Sequence, residues 1–261
     1  MTEPVADLAR RFGGIQRLYG AEALMRFQSA HVCVVGIGGV GSWAAEALAR
    51  SGIGQVTLID LDMVAESNVN RQIHALGDEF GKAKTDAMAA RMRAINPSCR
   101  VNRIEDFVTP DNLDRMFAGT IDYVIDAIDQ VRTKAAMIAW CKLHDLPVIT
   151  AGGAGGQIDP TRVEVADLAR TIQDPLLSKV RSLLRKEYGF TRDQKKGFGI
   201  PAVFSSEPLR YPANAETCDE PPPMAGLSCA GFGSSVCVTA TFGLTAAAEA
   251  LKFLAGTKNT G

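Results

Sequence analysis

The chain has 261 residues, 46% of them hydrophobic and 22% charged, with 28 Lys+Arg against 29 Asp+Glu for a net charge of −1. That balance suits one globular domain with its own core and excludes a disordered, collagen-like or coiled-coil chain. It also excludes a uniformly basic nucleic-acid coat, so any nucleic-acid contact must come from a local patch.

In chain order, residues 31–36 (HVCVVG) are a short apolar run ending in glycine, which predicts a buried parallel strand. A glycine loop follows, then good helix formers from Ser42 to Arg50 with Gly52 as the stop. Further strands are expected at Val56–Asp60, Val101–Ile104, Tyr123–Ile128, Pro147–Ala151 and Val163–Leu168, and helices at Gly81–Ile95 and Val131–His144. Strands alternating with helices of this length predict an α/β fold, a Rossmann-like mostly parallel sheet flanked by helices over residues 1–261.

Residues 170–226 break the pattern. They read as a basic, irregular and partly flexible insert, with Lys179, Arg181, Arg185, Lys186, Arg192, Lys195 and Lys196 and then Pro221–Pro223. Arg181 and Arg185, four apart on one helix face, and Lys195 and Lys196 are the candidate RNA contacts. Residues 229–255 predict an apolar C-terminal helix. The 20 residues from Cys229 to Ala248 carry no charge, but their glycines, serines and threonines argue for a core or interface helix over a membrane span.

The six cysteines, at 33, 99, 141, 218, 229 and 237, include no C-x-x-C pair, so no zinc is expected. Unpaired cysteines and an acidic N-terminus without an apolar core region predict a reduced, cytoplasmic setting.

The chemistry starts at Gly36-x-Gly38-Gly39-x-Gly41. Glycines between a strand and a helix let backbone N–H groups meet phosphate at the helix N-terminus. Asp60, 19 residues past Gly41 at the end of the next strand, is placed to accept ribose hydroxyls. Asp62, then Asn68, Arg71 and Gln72, then Lys84 at a helix start, and Asp126 and Asp129 at a strand's carboxyl end add cations and carboxylates. Hydride transfer has no use for that set, whereas ATP chemistry does, since cations neutralise phosphate charge and a carboxylate holds Mg²⁺. His74, two residues past Gln72, is a further candidate for the nucleotide.

These residues resemble the E1-like adenylating superfamily of ubiquitin-activating and sulfur-carrier-adenylating enzymes. The resemblance implies an E1-like adenylation fold that binds ATP through Gly36, Gly38, Gly39, Gly41, Asp60, Asp62, Asn68, Arg71, Gln72 and Lys84. Arg71, Lys84 and Asp129 would be catalytic, with Asp129 the Mg²⁺ ligand and Arg71 often lent by the second protomer of a homodimer. Arg11–Gly20, Asn70–His74, Asp106–Asn112, Gly152–Pro160, Thr171–Pro175 and Thr239–Gly243 are similar to one branch, which dehydrates threonylcarbamoyladenosine in tRNA. That implies ATP-dependent cyclisation through a carboxyl-adenylate; the alternative is adenylation of a sulfur-carrier or ubiquitin-like C-terminus. Gly14 stands where many relatives carry arginine, with Arg17 the nearest substitute. Cys229 is a candidate reactive thiol, and a sulfur-transfer protein a candidate partner beside tRNA.

Overall fold

The computed structural model describes residues 6–193, 195–211 and 232–256. Two helices, α1 (Leu8–Tyr19) and α2 (Ala21–Ser29), precede the sheet and were not foreseen as elements. The strands are β1 (His31–Val35), β2 (Gln55–Ile59), β3 (Arg100–Ile104), β4 (Tyr123–Asp126), β5 (Val148–Ala151), β6 (Val163–Asp167) and β7 (Pro201–Ser205). The helices α3 (Gly41–Arg50), α4 (Lys84–Ile95), α5 (Leu113–Met116), α6 (Val131–Leu143), α7 (Pro175–Glu187) and α8 (Val236–Leu254) complete it. The strand order is β3-β2-β1-β4-β5-β7-β6, parallel throughout except for β6, which runs antiparallel to β7.

The period-two alternation of β1 divides the core. Val32 and Val34 face α2, α3, α4 and α8, while Cys33 and Val35 face α5, α6 and α7. Both faces are covered, which is why the central strands are uninterrupted apolar runs. The helix α8 is the one described helix long and apolar enough to cross a bilayer. It lies instead against α3, with Val238, Phe242, Ala246, Ala247 and Ala250 fully buried. Gly243 makes that approach, since a Cβ there would sit 2.2 Å from the Val40 carbonyl oxygen.

The expectation of an irregular stretch over 170–226 needs correction. Its first part contains α7, whose Leu176, Leu177, Val180 and Leu184 form a buried stripe. Residues 201–205 are β7, wedged between β5 and β6. The apolar run from Ile200 to Phe204 carried that signal, but the surrounding charges and prolines masked it. Residues 212–226 lie outside the described residues.

Strand order reverses between β1, which continues outward to β2, and β4, which continues to β5. In parallel sheets a crevice opens at the carboxyl ends of such a pair, and ligands bind there.

Candidate nucleotide site

A cavity of about 260 Å³ opens at that crevice. Gly36, at the end of β1, adopts a φ of +86°, a conformation that a side chain disfavours. A Cβ on Gly41 would fall 1.8 Å from the Gly36 carbonyl oxygen, so glycine there lets α3 begin directly behind the loop. Gly36, Gly38 and Gly39 line the cavity; Gly41 shapes the loop from behind.

Asp60 ties β2 to this loop. Its Oδ2 accepts the Ile37 N–H at 2.6 Å, and its Oδ1 accepts the Asp62 N–H at 2.8 Å. Burial pushes the Asp60 pKa above the usual carboxylate range, with Lys84 acting against the shift. The buried Lys84, at the first position of α4, donates to Asp62 Oδ2 at 2.7 Å. An ammonium has three donors, so this bond leaves capacity for phosphate oxygens.

Arg71 lines the cavity of its own chain. Its stem packs on Gly39, and its Nη1 donates to the Ser67 carbonyl and Asn70 Oδ1, both at 2.9 Å. The Trp43 indole N–H holds the Arg71 carbonyl at 2.9 Å. Gln72 and Asp129 also line the cavity. Thus Gly36, Gly38, Gly39, Asp60, Asp62, Arg71, Gln72, Lys84 and Asp129, scattered over 94 positions, converge on one crevice.

Other candidates do not reach it. Asn68 is buried with its Oδ1 accepting the Ala65 N–H at 3.0 Å, so it shapes the 3₁₀ turn at Glu66–Asn68 and does not line the cavity. His74 is buried apart from the cavity lining, and its pKa is lowered to about 4 by burial together with Lys84 and Arg91. Arg17, on α1, is not among the lining residues. Of the RNA candidates, Arg181 donates to Thr171 Oγ1, while Arg185 donates to the Thr191 carbonyl at 3.3 Å and stands 5.2 Å over the Phe198 ring. Both guanidinium groups are held by α7's own surroundings, whereas Lys195 and Lys196 are exposed. Cys229 lies outside the described residues. Burial pushes Cys99 up to about 11 and Cys141 up to about 12, as suits core thiols.

Three groups of lining residues were missed as site residues. Asp106, Phe107 and Val108 follow β3, and Arg115 donates to Asp106 Oδ2 at 2.6 Å, holding that carboxyl below its usual range. Gly152–Gly155 follow β5. Ser234 and Thr239 come from the start of α8, and Asn70 Nδ2 donates to the Ser234 carbonyl at 3.1 Å. The first two groups and Thr239 belong to motifs that stood out in the sequence without an assigned role, whereas Ser234 does not. Among the described residues no cluster of three or more His, Cys, Asp or Glu could hold a metal on protein ligands alone.

Comparison with known proteins agrees with this geometry. Residues 13–261 match the model of the ThiF family. The tRNA threonylcarbamoyladenosine dehydratase of Escherichia coli is 54% identical over 97% of this chain and 96% of its own length. That of Haemophilus influenzae is 52% identical, over 95% and 94%. A crystal structure of the Escherichia coli enzyme in complex with ATP superposes with a TM-score of 0.87 at 52% identity, covering 98% of this chain and 99% of that one. The chain therefore belongs to the ThiF family and, within it, to the tRNA threonylcarbamoyladenosine dehydratases.

Proposed function

We propose that this chain dehydrates threonylcarbamoyladenosine in tRNA, consuming ATP and passing through a carboxyl-adenylate at the β1–β4 crevice. The observation that carries the reading is the convergence of Arg71, Lys84, Asp60 and Asp129 around the glycine loop in one cavity. The threonyl carboxylate is a poor electrophile. Its oxygen attacks the α-phosphorus of ATP, a P–O bond to pyrophosphate breaks, and an acyl-adenylate forms. An atom of the carbamoyl group then attacks the activated carbonyl and loses its proton. AMP departs with the former carboxylate oxygen, so the nucleoside has lost one water. No protein nucleophile is required.

The chain's work is positioning and charge compensation. Loop N–H groups and the α3 N-terminus receive phosphate. Lys84 and Arg71 offset the charge of the departing pyrophosphate. Asp60 orients the ribose, and the exclusion of water by Val35, Ile128 and Leu176 protects the acyl-adenylate from hydrolysis. Mg²⁺ commonly binds through one or two carboxylates, phosphate oxygens and several waters. Asp129, one of four described aspartates on the cavity lining with Asp60, Asp62 and Asp106, fits that pattern; Mg²⁺ held there would neutralise phosphate charge.

The exposed Met63, Val69 and Leu76, which flank Arg71 in sequence, favour a homodimer through that face, and sedimentation tests it. The cytoplasm is the compartment that holds the tRNA. The deciding experiment is mass spectrometry of nucleosides from threonylcarbamoyladenosine-containing tRNA incubated with the protein. Loss of one water only with ATP supports the reading; an unchanged nucleoside beside adenylation of a carrier protein's C-terminus favours the alternative.

A further inference from the structure

Beneath the cavity lies a charged group that this chemistry does not use. Lys134, in the first turn of α6, is wholly buried, 2.8 Å from Oδ1 of the equally buried Asp126 at the end of β4. Asp126 Oδ2 accepts the Thr150 hydroxyl of β5 at 2.7 Å, and Oδ1 also receives the Ile128 N–H at 3.3 Å. A second buried carboxylate, Asp174, holds the facing loop. Its Oδ2 accepts the Gly153 N–H at 2.9 Å, and its Oδ1 caps α7 through the Leu177 N–H at 2.8 Å. A Cβ on Gly152 would lie 1.8 Å from Asp174 Oδ2, so the glycine lets carboxylate and loop meet.

Each carboxylate thus holds a different stretch of the cavity wall. Asp126 holds Ala127–Gln130, which carries Asp129, and Asp174 holds Gly152–Gly155. Among the described residues, the Lys134 ammonium pairs directly with Asp126 alone. A buried carboxylate deprived of its cation takes up a proton or draws in water, and either change loosens the backbone it grips.

We propose that Lys134 is a positioning residue of the nucleotide site, fixing through Asp126 the loop that carries Asp129. The inference rests on the nucleotide-site reading above. Lys134 is sealed from the cavity and touches no substrate. A lysine serving only stability would alter melting and leave the affinity of the folded protein for ATP unchanged.

The test is calorimetric titration of ATP with Mg²⁺ into the wild type, Lys134→Met, Lys134→Arg and Thr150→Val, each with a melting curve. Lys134→Met should bind ATP at least tenfold more weakly at a temperature where it is folded. Lys134→Arg, which keeps the charge, should come within threefold of the wild type. If Lys134→Met does not fold, Thr150→Val decides, with a three- to tenfold loss expected. Wild-type affinity in the deciding variant, or equal loss in Lys134→Arg and Lys134→Met, overturns the proposal. A wild type that binds ATP but leaves tRNA unchanged sinks the proposed function alone, and a wild type that does not bind ATP sinks both.

Discussion

Replacing Asp60 by asparagine tests the ribose assignment and the loop geometry together. The carboxylate accepts the Ile37 and Asp62 N–H groups on separate oxygens, at 2.6 and 2.8 Å. An amide has one acceptor oxygen and one NH₂ donor, so either orientation sets donor against donor at one bond. Losing a hydrogen bond to a charged group costs about 1.5–3 kcal/mol. Asparagine also sheds the burial penalty that raises the Asp60 pKa, which offsets part of that loss. The net destabilisation is about 1–2 kcal/mol, or roughly 2–8 °C of melting temperature for a chain of this size. At the nucleotide, a lost charged bond to ribose of about 1.5–3 kcal/mol weakens ATP roughly 10- to 150-fold. Calorimetry with ATP and 2′,3′-dideoxy-ATP separates the two effects. The wild type should prefer ATP, and Asp60→Asn should bind both with similar low affinity. A variant that keeps the wild-type preference refutes the ribose role, and an unchanged melting temperature refutes the clamp on the glycine loop.

Asp129→Ala should abolish AMP formation while melting within about 2 °C of the wild type, as an exchange outside the core usually costs little; unchanged AMP formation at limiting Mg²⁺ removes Asp129 as the metal ligand. Gly243→Ala forces a Cβ to 2.2 Å from the Val40 carbonyl oxygen and should cost about 1–3 kcal/mol by overpacking the α3–α8 contact, read as a lowered urea midpoint. An unshifted midpoint would show that the helices slide apart freely. His74 has a folded pKa near 4, below its unfolded value of about 6.5, so the unfolded chain binds more protons between the two. Its contribution is full above pH 6.5, is lost as pH falls toward 4, and amounts to about 3 kcal/mol. His74→Gln should flatten the fall in melting temperature between pH 7 and pH 5, and an identical pH profile contradicts this account. Lys195→Ala/Lys196→Ala should lower the salt slope of tRNA binding by roughly 0.7–0.9 per lysine, whereas Arg181→Ala/Arg185→Ala should act mainly on melting; a wild-type slope for the lysine pair moves the RNA footprint elsewhere.

The sequence by itself determined the central sheet and the nucleotide end of the crevice. Apolar β-branched runs and glycines with one strict steric role are local signals. Gly36 and Gly41 must be small because backbone passes backbone there, and Asp60 follows at the distance one βαβ unit imposes. Tertiary structure decided the rest. The strand β7 exists because β5 and β6 supply its hydrogen bonds, not because residues 201–205 demand extension in isolation. The spacing of Asn68 matched a ligand, but its side-chain oxygen is engaged by a turn three residues upstream, which the spacing did not show. Arg181 and Arg185 share a helix face as their spacing requires, yet whether that face meets solvent or Thr171, Thr191 and Phe198 depends on how α7 docks. Nothing in the sequence singles out Lys134. Only packing shows it sealed against the buried Asp126 at a strand end, because burial and charge compensation are properties of the assembled core and leave no pattern along the chain.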